Sequence, residues 1–171
     1  PGMRDRTVTI SSGGKTFSFT GWTIGWVCAP APLVNAVRTA KQFLTYVNGG
    51  PFQHAIAVGL GMPESFFRTS VGILQGKRDL LAAGLTRAGF EVGHPDGGYF
   101  VIADAAPLGV TDAVEFCHRL PALAGVVAIP VSAFVRADHV DEYRSLVRFA
   151  YCKRMDSIVA ASAKLLALSP S

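Results

Sequence analysis

Residues Ser11–Pro30 read SSGGKTFSFTGWTIGWVCAP. Two hydroxyl residues and two glycines stand directly before Lys15, and a β-like run, TVTI, leads into them. Three readings of Lys15 compete: a phosphate-cradling loop, a covalent anchor for an aldehyde cofactor, and a turn with an exposed lysine. The phosphate loop fails on two counts. It needs a glycine five positions before Gly14, where Thr9 stands. It also needs a helix opening at Lys15, because helix N-terminal N–H groups supply much of the anion site. The residues that follow, KTFSFTGWTIGW, are β-branched, aromatic and glycine instead. A lysine that forms a Schiff base on a tight loop fits the small neighbours, which admit a cofactor close to the backbone, and the Ser12 hydroxyl, which suits a phosphate oxygen. The motif alone does not separate that anchor from an exposed loop lysine.

Working outward, Arg6–Ser11 and Ile24–Ala29 read as strands bounded by Gly or Pro, with a Gly-rich aromatic loop between them. Pro32 opens a helix on which Leu33, Val37, Ala40 and Leu44 recur at helical spacing until Asn48–Gly50 stops it. A shorter helix, FQHAIAVGL, follows. From Glu64 to about Arg87, Phe67, Val71, Leu74, Leu81 and Leu85 form an apolar stripe, ended by Gly89. Strands are then predicted at FEV and GYFVIAD, a helix capped by Thr111 or Asp112 running to about Leu120, strands at Val126–Ile129 and Ser145–Tyr151, and a closing helix near Asp156–Leu168. Strands interleaved with helices predict an α/β protein. The expected division is residues 1–62 and residues 63–171.

The chain has 171 residues, 50% of them hydrophobic, enough to bury a sizeable core. Sixteen Lys and Arg against twelve Asp and Glu give +4, but the basic residues are scattered, so no nucleic-acid partner is expected. The most apolar stretch, Ala122–Val135, is short and broken by Pro130, so no membrane span is expected. Cys28, Cys117 and Cys152 are odd in number and lack metal-ligand spacing, which predicts reduced thiols in the core of a cytoplasmic protein. His54, His94, His118 and His139 do not cluster, and no metal is expected.

The segment SSGGKTFSFTGWTIGWVCAP resembles the cofactor-lysine segment of class I/II aminotransferases of fold type I. Within that family it is most similar to the branch of N-succinyldiaminopimelate and kynurenine aminotransferases. The resemblance continues in order through KQFLTYVNGGPFQHAIAVGL, RDLLAAGLTRAGFEV, GGYFVIAD, EFCHRL, VVAIPVSAF and LVRFAYCK. It implies the C-terminal part of a pyridoxal 5′-phosphate-dependent transferase: the end of the large cofactor-binding domain, then a linking helix and a small α/β C-terminal domain. Lys15 would bind pyridoxal 5′-phosphate and move the substrate Cα proton, working as a neutral amine, which burial favours. Ser12 would bind the cofactor phosphate. Arg148, whose alternative reading is a strand-edge arginine with a solvated head, would pair the substrate α-carboxylate through its planar guanidinium.

The implied substrates are an amino acid, among them N-succinyl-diaminopimelate of lysine biosynthesis, and a 2-oxo acid, handled by a homodimer. Two departures stand out. Where the family places a Lys or Arg eight residues after the lysine to pair the phosphate, this chain has Thr23. The family's ring-nitrogen aspartate, its asparagine and tyrosine at the ring oxygen, and its phosphate-holding helix come from an upstream half, so this chain alone is expected to be inactive. A non-catalytic interaction module of the same fold is the competing reading.

Overall fold

The computed structural model describes residues 2–168. The chain divides into two compact units, with the boundary between Phe66 and Phe67. In the first, β1 (Thr9–Ser12) pairs antiparallel with β2 (Gly25–Cys28), in a register that sets Ser12 opposite Gly25. Between them lies α1 (Gly13–Thr16), a single helical turn, and a 3-10 turn at Thr20–Trp22. Next come α2 (Ala31–Leu44), with proline in its first turn, and α3 (Gly50–Leu60). Only Ile24 and Ile56 are buried apolar side chains here among the described residues.

The helical turn corrects the expectation of a plain loop around Lys15. The Gly13 N–H donates to the Ile24 carbonyl at 3.0 Å, closing the base of the hairpin. Phe17 N–H then bonds the Gly13 carbonyl at 3.0 Å, and Phe19 N–H the Gly14 carbonyl at 2.9 Å. The tip of the Ile56 side chain packs directly on Gly13, so a Cβ there would have to displace it, and the constraint comes from packing rather than from a left-handed backbone.

The long helix α4 (Glu64–Arg87) enters the second unit and buries Leu81 and Leu85 there. That unit holds a four-stranded antiparallel sheet in the order β3-β4-β6-β5, from β3 (Glu91–Val92), β4 (Phe100–Asp104), β5 (Ile129–Pro130) and β6 (Leu146–Ala150). Helices α5 (Ala113–Ala124) and α6 (Met155–Leu165) complete it. Strand alternation sorts the sheet into two faces. Val101, Ala103, Val147 and Phe149 point into the core with Leu85, Leu120 and Leu165. Phe100, Ile102 and Arg148 lie on the other face, where Ile102 is exposed. At Gly84 a Cβ would stand 2.5 Å from Ser162 Oγ, so the missing side chain lets α4 and α6 approach closely.

The α/β class is found, with both sheets antiparallel. Asp112 is the helix cap: its carboxylate accepts from Val114 N–H at 2.8 Å and Glu115 N–H at 3.2 Å. The strand expected at Val126–Ile129 shrinks to Ile129–Pro130, because residues after the Gly125 turn are spent reaching β6, and Pro130 lacks the N–H to extend the ladder. The three core cysteines are also corrected: Cys28 and Cys152 are exposed and Cys117 is partly buried. Short strands and turns carry the outer two near the surface, where periodicity gives no burial signal. Among the described residues no helix is long and apolar enough to cross a membrane.

Candidate active site

Ser12, Gly14, Lys15, Thr20, Thr23, Ile24 and Gly25 line one recess of about 320 Å³ at the turn end of the hairpin. Three local features shape it. Gly25 sits opposite Ser12, and a Cβ on it would come 2.6 Å from the Ser11 carbonyl oxygen, so the strands close only because it is bare. A Cβ on Gly14 would lie 3.0 Å from Thr20 Cα, so the lysine turn packs tightly on the 3-10 turn. Ser12 occupies the N-cap position of α1, yet its hydroxyl makes no capping bond to the helix.

Thr23 closes the recess from the far side. Its backbone is left-handed, at φ 51° and ψ 39°, and its carbonyl accepts from Asn48 Nδ2 at 3.3 Å. Asn48 Oδ1 in turn accepts from Lys41 Nζ at 3.1 Å, so a cation is linked through Asn48 to the Thr23 backbone. Lys15 is exposed, which corrects the expected burial: the recess it lines is open to solvent, with small residues, Ser12, Gly14 and Gly25, around it.

The lysine turn rests on a run of nearly parallel aromatic rings. Phe66 stacks on Phe17 at 6.2 Å, Phe17 on Phe19 at 5.6 Å, Phe19 on Trp22 at 4.3 Å, and Trp22 on Phe52 at 4.4 Å. Offset ring pairs of this kind stabilise by about 0.5–1.5 kcal/mol each beyond their buried area. Trp22 therefore packs with the loop, while Trp26 lies on β2 opposite Ser11. The ring run was not legible in the sequence as a unit, because it joins residues of the turn to α3 and α4.

Arg148 belongs to the second unit. It lies on β6 between Ile102 of β4 and Ile129 of β5, an interior strand of the sheet. That placement overturns the strand-edge reading. Its guanidinium carbon lies 4.0 Å from the Phe100 ring centroid and 4.2 Å from that of Phe134. Nε is buried without a hydrogen-bond partner. Among the described residues no carboxylate forms an ion pair with it. Phe134 was missed by sequence reasoning: it lies on a 3-10 turn, Val131–Phe134, which has no periodic signature.

Among the described residues, no His, Cys, Asp and Glu side chains gather in a group that could hold a metal ion. The donors at the hairpin recess do fit an aldehyde cofactor with a phosphate: one amine, a hydroxyl free of capping duty, and two glycines, Gly14 and Gly25, in the lining. The fit falls short in charge at Thr23, since a hydroxyl donates one hydrogen bond but cannot neutralise a phosphate dianion.

Comparison with known proteins agrees with that chemistry. The family model for aminotransferase class I and II matches residues 2–161. The chain is 47% identical to a probable N-succinyldiaminopimelate aminotransferase, DapC, of Mycobacterium tuberculosis, over 98% of this chain and 44% of that protein. It is 38% identical to kynurenine–oxoglutarate transaminase 3 of Rattus norvegicus, over 94% of this chain and 39% of that one. The solved structure of N-succinyldiaminopimelate aminotransferase from Mycobacterium tuberculosis superposes with a TM-score of 0.92 at 48% identity, covering 98% of this chain and 43% of that one. The chain thus spans less than half the length of these relatives. Over that span the chain shares the fold of the mycobacterial structure, and it belongs to the aminotransferase class I and II family.

Proposed function

We propose that this chain carries the cofactor lysine and the carboxylate-binding arginine of a pyridoxal 5′-phosphate-dependent aminotransferase. The observation that carries the reading is the convergence of Ser12, Lys15 and Thr23 on one recess, in a chain of this family. Lys15 would hold the cofactor covalently at its aldehyde carbon. Ser12 Oγ would donate a hydrogen bond to the phosphate. When bound, the cofactor supplies an electron sink for the charge left at the substrate Cα. Once the substrate's own amine has taken its place at the cofactor carbon, the released Lys15 amine would accept the proton from Cα, and the α1 turn gives it a fixed origin at the recess for that step.

Arg148 would fix the substrate α-carboxylate, since a planar guanidinium holds two oxygens at once and so sets orientation as well as charge. Its place between two rings, with no carboxylate of the described chain already engaged, supports that role. The amino donor of this reading is an amino acid of the N-succinyl-diaminopimelate type and the acceptor a 2-oxo acid, on the strength of the 47% identity with the mycobacterial relative. A homodimer and a cytoplasmic setting belong to the same reading. The first is supported by the exposed apolar run Phe43, Leu44, Tyr46 and Val47, the second by the exposed thiols of Cys28 and Cys152, which persist in a reducing compartment.

The test is a visible-absorption titration of the chain with pyridoxal 5′-phosphate. A saturable imine band that disappears in Lys15→Ala is expected. An equal band in both proteins would mean that Lys15 is not the anchor, and the reading of an interaction module of the same fold would replace this one.

A further inference from the structure

We propose that Phe134 and Phe100 form an aromatic clamp that holds the Arg148 guanidinium edge-on, so that only a planar carboxylate lying in the guanidinium plane is bound well. This rests on the reading of Arg148 as the carboxylate partner and adds Phe134 as a positioning residue. The sheet explains one jaw. Arg148 pairs with Ile102 in the register, and Phe100 is the diagonal neighbour on the same face, within reach of a long side chain. The second jaw comes from outside the sheet, where the 3-10 turn Val131–Phe134 brings a ring to 4.2 Å from the guanidinium carbon, against 4.0 Å for Phe100.

With both ring centroids within 4.2 Å of the guanidinium carbon, π-attraction offsets part of the loss of hydration, and a guanidinium clamped in this way offers an acceptor its in-plane N–H edge. Nε is buried and unpartnered, so the terminal nitrogens are the part of that edge that a ligand can reach. Two N–H donors in one plane match the two oxygens of a carboxylate one to one, a pairing that a spherical anion cannot make. Phe134 is 60% exposed, so it contributes little to the core, and its position over the guanidinium is not explained by packing.

The experiment follows the Arg148 Nε–Hε resonance in the full chain, assigned by its loss in Arg148→Gln, while chloride is exchanged for acetate at constant ionic strength. In the native chain the resonance should carry a ring-current shift and move saturably with acetate. Phe134→Leu should remove much of that shift and weaken acetate binding by about threefold to tenfold, the range that a partly desolvated cation–π contact supplies. Phe134→Tyr should restore both to within about twofold, because the ring face is kept. If Phe134→Leu binds acetate as tightly as the native chain, the clamp is wrong while Arg148 remains a carboxylate site. If the native resonance does not respond to acetate at all, the carboxylate reading of Arg148 fails and the clamp fails with it.

Discussion

At Thr23 the backbone sits in the left-handed region, which β-branched residues seldom occupy, and the side chain offers no charge to the recess. Thr23→Gly removes the strained conformation and is expected to stabilise the chain by about 1 kcal/mol, read as a higher urea midpoint at unchanged slope. Thr23→Lys restores a cation at the recess. Charge-assisted hydrogen bonds contribute about 1.5–3 kcal/mol, so affinity for pyridoxal 5′-phosphate should rise by roughly tenfold or more in the absorption titration. Affinity unchanged by that substitution would remove position 23 from the phosphate site. Gly25 is constrained differently, by the Ser11 carbonyl oxygen 2.6 Å from where its Cβ would be. That atom is backbone and cannot swing aside. Gly25→Ala should therefore cost about 1–3 kcal/mol, measured by denaturant unfolding. None of this is visible in the letters SSGGKT, which carry the residue types but not the contacts that make the glycines necessary.

Helices and strands were legible where one periodicity ran long enough to have a single answer. The C-terminal half of the α4 stripe is an example, since Leu81 and Leu85 fall one turn apart and both are buried, whereas Val71 of the same stripe is exposed. So is β6, where Val147 and Phe149 alternate with Arg148, although the sequence could not say which strands would flank it. Legibility failed where geometry depends on partners: β5 is cut to two residues by Pro130 and the register with β6, and the 3-10 turns that deliver Phe134 have no pattern to read. The α5 cap was legible to within one residue. Its Asp112 carboxylate holds two backbone N–H groups, so Asp112→Ala should cost about 1 kcal/mol, whereas Asp112→Asn should be nearly neutral in the same melt. On the same helix, partial burial pushes the Cys117 thiol from 9.0 up to about 11. At pH 8 its thiolate fraction is then small, and Cys117 should react with a thiol reagent far more slowly than exposed Cys28 and Cys152. Equal modification of all three positions in peptide mapping would contradict the placement of Cys117.

At the scale of the molecule, the two units differ in what holds them. The second has a continuous core from Leu81 to Leu165, while the first buries only Ile24 and Ile56 among its described apolar residues and leans on stacked rings and a hairpin. Such units open at different free energies. Trp22 and Trp26 both lie in the first unit, so indole fluorescence reports it selectively. In urea the fluorescence change is expected to precede the main loss of helical circular dichroism, and coincident transitions would show that the chain unfolds as one unit. The sequence revealed the family from motif order along nearly the whole chain, yet it could not reveal the ring stack or the Arg148 clamp, because both join residues distant in sequence. The central claim is that Lys15 is the cofactor anchor. Borohydride reduction of the chain with substoichiometric pyridoxal 5′-phosphate, followed by peptide mapping, tests it most directly. The label is expected on the peptide containing Lys15, and label spread over Lys41, Lys77, Lys153 and Lys164 in proportion to their exposure would contradict it.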